Sequence, residues 1–199
     1  IMRASFTGEL GYEIYVPPKY ALELWEKIFR NGKNLGLIPY GTETMHLLRA
    51  EKGYVVVGQD TDGTVTPIDL NLNWMIGKNK KDFVGKRSLS RSDTSRKDRK
   101  QLVGILPVDK NKNIEEGQHI LEIKSLPGTI KEPIEYLGHI TSSYHSPTLK
   151  HCVAMALIKG GNQLMGKKIY VSKSNSSETV ESEIVNPVFL DPDNRRLLS

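Results

Sequence analysis

Apolar positions fall into two patterns along this chain. Ala21, Leu22, Leu24, Trp25, Ile28 and Phe29 recur at helical spacing with Gly32 just beyond, so the stretch is predicted to be an amphipathic helix. A second helix is predicted over residues 42–52. Thr42 is its expected N-cap, Glu43 suits the positive helix start, and Gly53 suits the stop. Residues 11–16 read as a strand ended by Pro17-Pro18, and residues 54–57 as a short apolar strand. Residues 59–66 form a polar loop around Gly63, residues 70–76 have strand-like composition, and residues 83–89 suggest a short helix.

The character changes near Ser90. Residues 90–100 are polar and charged throughout and read as a linker or exposed connection. Beyond it, short apolar runs alternate with turn signals at 101–106, 119–123, 137–142, 152–158, 168–171 and 179–184. Strands spaced this evenly predict a small antiparallel barrel or sandwich. The expected organisation is therefore α+β. Residues 1–95 form a mixed first domain, and residues 96–199 an all-β second domain.

Composition adds limits. The 199 residues carry a net charge of +5, and 26% are charged, as in ordinary globular proteins. No apolar stretch has the length needed to cross a bilayer, and no membrane association is expected. A single cysteine, Cys152, forms no internal disulfide, which fits a reducing, cytoplasmic setting. The basic run around Lys86-Arg87 to Lys100 is interleaved with Asp93 and Asp98 and is poor in aromatics. It reads as a solvated surface, and no nucleic-acid platform is expected. A polyanionic small ligand or a subunit interface would use the same charge. Ile1-Met2-Arg3-Ala4-Ser5-Phe6 reads as the interior of a longer chain, so part of a site is expected upstream.

Candidate chemistry is concentrated in two places. Phe6-Thr7-Gly8-Glu9-Leu10-Gly11-Tyr12-Glu13 suggests a tight loop entering a strand. A carboxylate at its apex can accept two parallel N–H bonds, matching the 2-amino and ring N–H edge of a pterin or guanine. It can equally face water. His46, Arg49 and Gly53 share a helical face. Arg49 can hold a ligand carboxylate or pair with a nearby acid such as Glu43 or Glu51. Asp60-Thr61-Asp62-Gly63 lacks the remaining ligands of a calcium loop and reads as a turn. None of the five histidines has zinc-ligand spacing, so no metal site is expected. Cys152, beside Val153-Ala154-Met155, reads as a buried small side chain. There is no G-x-S-x-G, Walker loop or G-x-G-x-x-G.

Five ordered segments carry a family resemblance. Thr7-Gly8-Glu9-Leu10-Gly11-Tyr12-Glu13 resembles the T-G-E-x-G-[YF]-E segment of the glycine-cleavage aminomethyltransferase (T-protein) superfamily. Leu48-Arg49-Ala50-Glu51-Lys52-Gly53 resembles its L-R-x-E-x-G helix end, and Thr66-Pro67 through Leu72-Asn73-Trp74 its T-P-x-x-x-x-L-x-W segment. Phe83-Val84-Gly85-Lys86 is similar to its F-x-G-[KR] turn. Gly138-His139-Ile140-Thr141-Ser142 with Ser146-Pro147-Thr148-Leu149 is similar to its G-x-V-T-S…S-P-T-L hallmark. Within the superfamily, residues 40–46, 57–63 and 186–192 resemble the alpha subunits of heterotetrameric sarcosine oxidases. Dimethylglycine and sarcosine dehydrogenases share the module. Phe6 stands where T-proteins often carry tyrosine, and Lys150 where related alpha subunits tend to have arginine.

The resemblance implies a tetrahydrofolate-binding, one-carbon-transferring domain half followed by a β-barrel. It implies that Glu9 grips the pterin, that Arg49 lies at the folate site, and that Tyr12 and Trp74 shape the channel or sit in the core. The family's catalytic aspartate has no match here and is expected upstream. Partners would be the other subunits of an oxidase. NAD, FAD, FMN and zinc are allowed in the full complex and expected absent from this chain. A folate-binding domain without transferase chemistry and a subunit-assembly domain are the non-enzymatic alternatives.

Overall fold

The computed structural model describes residues 1–126 and 133–198. Two-residue strands β1 (Met2–Arg3) and β2 (Tyr12–Glu13) pair antiparallel, followed by helices α1 (Ala21–Gly32) and α2 (Thr42–Glu51). Six strands then follow: β3 (Lys100–Pro107), β4 (His119–Leu121), β5 (Gly138–Ser146), β6 (His151–Lys159), β7 (Lys168–Ser172) and β8 (Thr179–Val185). They close into an antiparallel barrel in the order β3-β6-β5-β4-β7-β8. A short helix, α3 (Arg195–Leu198), ends the described chain. The predicted α+β class, with a small antiparallel barrel at its end, is the fold observed.

The barrel explains why its strands read so clearly. Val103, Ile105, Ile120, Ile140, Ala154 and Ile184 point inward and exclude water. Strand β6 is buried along almost its whole length, because both of its faces are covered. Cys152, Ala154, Ala156 and Ile158 fill the barrel. Met155 and Leu157 face outward and pack with Leu102 of β3 and Ala50 of α2. The first part of the chain is thus seated on the barrel's outer wall through α2.

A bulge in β5 shapes that seat. The β5–β6 register shifts between Ile140 and Ser142, leaving Thr141 as the extra residue. Strict alternation would send neighbouring side chains to opposite faces. The bulge instead brings Thr141 and Ser142 to the same side, where both hydroxyls reach one carboxylate.

The first part departs from its predicted elements. The strand expected over residues 11–16 shrinks to Tyr12–Glu13, because its partner β1 has only two residues. Residues 54–56 have no regular structure and lead into a turn at Val57, and residues 70–76 form a turn and a short 3-10 helix (Asn73–Met75) instead of a strand. Their backbone groups are taken locally: Tyr54 N–H donates to Arg49 O, and Val56 N–H donates to the carboxylate of Asp60. The helix expected over 83–89 is a 3-10 turn at Lys86–Ser90, entered through Gly85 at φ 95°. Gly41, not Thr42, occupies the N-cap of α2, and no side chain caps it. Trp74 is 71% exposed and no part of the core. Helix α1 buries none of its residues, and Leu22 and Trp25 on its apolar face stand in the open.

Candidate functional site

The segment between β1 and β2 makes a closed loop, with Ala4 N–H donating to Gly11 O at 3.2 Å. Both glycines are dictated by close approach. Gly8 has φ +80°, and a Cβ there would lie 2.6 Å from Cγ of Lys52. A Cβ on Gly11 would lie 2.7 Å from Ala4 O. Glu9 therefore stands on a bed formed by the Lys52 stem, with 41% of its side chain exposed. Its Oε1 accepts a hydrogen bond from Arg196 Nη1 at 2.9 Å. Tyr12 opens to solvent on β2 opposite Arg3.

Lys52 is itself anchored, since its ammonium donates to the backbone oxygen and the carboxylate of Asp191. Burial pushes the Asp191 carboxyl up. Bonds from the Arg196 and Arg195 N–H groups and from Lys52 outweigh this and hold it below the usual carboxylate range. Asp191 thus ties the C-terminal segment to the end of α2. Phe189 and Leu190 N–H add two bonds to Glu51 O, each 2.9 Å.

Arg49 is fully buried in the last turn of α2. Its Nη1 donates to Asp60 Oδ2 at 2.5 Å and to Tyr54 O at 3.1 Å, and its Nη2 donates to Ser142 Oγ at 2.7 Å. The Tyr144 ring lies 5.9 Å away. The acid paired with Arg49 is Asp60, neither Glu43 nor Glu51. Glu51 reaches the barrel instead and accepts from Ser146 Oγ at 2.5 Å. Asp60 spends its remaining capacity on Val56 N–H (2.8 Å), Thr141 Oγ1 (2.5 Å) and Ser142 Oγ (2.6 Å).

Two of the segments that carried the resemblance therefore meet in space. Arg49 and Glu51 of the helix end hold Ser142 and Ser146 of β5, with Asp60 between. The structure does not bring Arg49 to the surface beside Glu9. Arg49 is closed into the seat on the barrel, whereas Glu9 stands on the loop that packs against Lys52. Sequence reasoning missed Asp60, which it read only as part of a turn. It also missed the joint use of Thr141 and Ser142. The neighbouring Asp62 does make the expected turn, accepting from Thr64 N–H and Oγ1.

Several buried polar atoms have no hydrogen-bond partner among the described residues: Ser5 Oγ, His46 Nδ1, Arg49 Nε and Glu51 Oε2. His46 meets the Phe6 ring edge-on at 6.2 Å. Cys152 is buried in the barrel, with Sγ 3.4 Å from Ser143 Oγ. Among the described residues no group of three His, Cys, Asp or Glu side chains is gathered as a metal ligand set. No helix there is long and apolar enough to cross a membrane.

Comparison with known proteins agrees with the architecture. The family described as "GCVT N-terminal domain" matches residues 1–80, and "Glycine cleavage T-protein C-terminal barrel domain" matches residues 100–191. The chain is 43% identical to the sarcosine oxidase subunit alpha of Corynebacterium sp. (strain U-96), over 98% of this chain and 20% of that protein. It is 38% identical to the same subunit from Rhizobium meliloti (strain 1021), over 99% of this chain and 20% of that one. An aminomethyltransferase from Halothermothrix orenii is 34% identical over 91% of this chain and 47% of that protein. The chain thus spans about a fifth of the alpha subunits' length. The crystal structure of the glycine cleavage system aminomethyltransferase T from Bartonella henselae superposes with a TM-score of 0.79. That likeness covers 95% of this chain and 49% of the other at 24% identity, and it speaks to the fold.

Proposed function

This chain belongs to the glycine-cleavage T-protein (aminomethyltransferase) superfamily, and from that premise we propose that it is a tetrahydrofolate-binding one-carbon-transfer module of a larger enzyme of the sarcosine oxidase alpha-subunit type. The observation that carries this reading is the setting of Glu9. Its carboxylate is half open to solvent, stands on a loop closed by the Ala4–Gly11 hydrogen bond, and already accepts a guanidinium N–H. A guanidinium and the 2-amino-4-oxopyrimidine edge of a pterin offer the same pair of parallel donors, so the residues present fit the group.

In this reading Glu9 orients the pterin, and Tyr12 flanks it from β2. Arg49 serves as a positioning residue. With no exposed surface and its hydrogen bonds directed inward, it fixes α2 to the barrel and thereby fixes the bed beneath the Glu9 loop. The one-carbon unit, oxidised to the formaldehyde level elsewhere in the enzyme, condenses with N5 and N10 of tetrahydrofolate. Water is lost and 5,10-methylenetetrahydrofolate forms. This chain's part is to hold one reactant in place, and its net charge of +5 favours capture of an anionic folate tail. The remaining subunits, the catalytic aspartate, and any NAD, FAD, FMN or zinc would lie outside residues 1–199. The uncovered apolar face of α1 suits a chain seated in a larger assembly. The likeness to aminomethyltransferases supports the same ligand with a different one-carbon donor.

The test is calorimetric titration of tetrahydrofolate, without oxygen, into the full-length protein and its Glu9→Gln variant. A charge-assisted pair lost at Glu9 should weaken binding by about tenfold or more. Absence of binding by the full-length protein, or equal binding by both, would overturn the reading.

A further inference from the structure

Glu9 has a resident partner, and its chemistry is informative. We infer that Arg196 is a built-in competitor for the Glu9 carboxylate, held where a ligand's amino-pyrimidine edge would dock. This rests on the reading of Glu9 as the ligand grip.

The guanidinium is delivered by a fastened backbone. Phe189 and Leu190 N–H bond to Glu51 O at the end of α2, and Lys52 grips Asp191. The Asp191 carboxylate in turn accepts from Arg195 N–H at 2.9 Å and from Arg196 N–H at 3.1 Å. Two further bonds lay the arm directly on the loop: Leu10 N–H to Arg196 O at 3.1 Å, and Arg3 Nη2 to Leu197 O at 3.0 Å. Arg196 thus starts from a fixed Cα beside Glu9, with its Nη1 on Oε1 at 2.9 Å.

The contact is also easy to displace. Both side chains are close to half exposed, at 47% for Arg196 and 41% for Glu9, so water and salt screen their attraction. A ligand presenting two parallel N–H groups replaces the guanidinium on the same acceptor. The displaced guanidinium keeps the charges of Asp191 and Glu51 near it. The arm would therefore act as a mild gate. It keeps Oε1 of the carboxylate occupied in the free protein and disfavours ligands that cannot supply donors of their own to replace it.

The experiment measures binding of 5-formyltetrahydrofolate to the full-length protein by calorimetry. It compares wild type, Arg196→Met, Arg196→Lys, Glu9→Gln, and the double variant of Glu9→Gln with Arg196→Met. Removal of an exposed competitor should tighten binding by about two- to fivefold in Arg196→Met. Arg196→Lys keeps the charge but loses the planar fork, and should shift affinity in the same direction by less. In the Glu9→Gln background the Arg196→Met change should have no effect. If Arg196→Met binds equally or more weakly while Glu9→Gln still loses affinity, the competitor role is overturned and the folate reading stands. If neither wild type nor Arg196→Met binds the probe, the folate reading fails and the competitor role fails with it.

Discussion

Arg49 Nη1 and Asp60 Oδ2 lie 2.5 Å apart, and neither side chain has any exposed surface. Two charges taken out of water cost several kcal/mol each unless their remaining groups are satisfied. Here the carboxylate is surrounded by donors: Arg49, Val56 N–H, Thr141 and Ser142. The guanidinium reaches a backbone carbonyl and a hydroxyl as well. Helix α2, the turn that follows it and the bulged strand of the barrel are thereby fixed to one another through one ion pair.

Removing one partner strands the other. Asp60→Ala should lower stability by about 3–5 kcal/mol, the cost typical of a broken buried pair. Asp60→Asn keeps the size and part of the acceptor set, and should cost less. Urea unfolding followed by far-ultraviolet circular dichroism would read this as a lowered midpoint. A midpoint unchanged in Asp60→Ala would mean that the pair does not hold the two parts together.

A second link runs from Glu51 to Ser146. Ser146 Oγ donates to Glu51 Oε1 and accepts from Leu149 N–H at 2.9 Å, while Glu51 Oε2 has no partner among the described residues. Ser146→Ala should therefore cost about 3 kcal/mol, since it leaves a buried carboxylate and a backbone donor unpaired. Glu51→Gln removes the buried charge but keeps an acceptor for Ser146, and should be close to neutral. Thermal unfolding of the two variants side by side checks the contrast, and equal losses would refute it.

Much of this was legible in the residues, and the limits have physical causes. The six barrel strands announced themselves because most of their inward positions are apolar, with serines such as Ser143 and Ser182 the exceptions. Strand β6 read as a continuous run because both its faces are covered. Residues 54–57 and 70–76 are rich in apolar side chains too, but their backbone groups are taken locally: Asp60 takes Val56 N–H, and Leu72 N–H donates to Pro67 O. Local spacing gave Glu43 and Glu51 as partners for Arg49. The true partner lies beyond a turn, and its hydroxyl donors sit on a bulge 81 and 82 residues further along, which no local pattern encodes. The Glu9 loop was legible as a loop because its glycines are required. The arginine that meets Glu9 comes from the far end of the chain and left no signal near it.

Gly8 tests that loop directly. At φ +80° an alanine is strained, and its Cβ would lie 2.6 Å from a Lys52 stem held in place by Asp191. Gly36, at φ +74° with nothing within 4 Å, carries the backbone penalty alone. Gly36→Ala should cost about 1–2 kcal/mol and Gly8→Ala clearly more. Denaturation midpoints compare them. Equal losses would mean that the Lys52 contact gives way freely.

Arg99 clamps Asp69, with Nε 3.1 Å from both carboxylate oxygens and Nη2 2.8 Å from Oδ2, and Thr66 adds N–H and O–H donors. Burial pushes the Asp69 carboxyl up. The hydrogen bonds from Arg99 and Thr66 and the arginine's charge outweigh this and leave it below its ordinary value. A carboxyl that binds its proton less readily folded than unfolded stabilises the fold fully above the unfolded value, about 3.9. That contribution is lost as pH falls through the folded value. The clamp joins the turn at 66–69 to the entry of β3, where Leu102 N–H donates to Asp69 O at 2.8 Å, so its loss should loosen the seat of the first part on the barrel. Asp62 and Asp191 are also held low and add acid sensitivity of the same sign. The informative quantity is therefore the difference between wild type and Asp69→Asn. Unfolding free energies measured by urea from pH 7 down to about pH 2.5 should show the wild type's advantage at neutral pH shrinking below about pH 4. A difference that stays constant across that range would show that the Arg99 clamp does not set the proton affinity of Asp69.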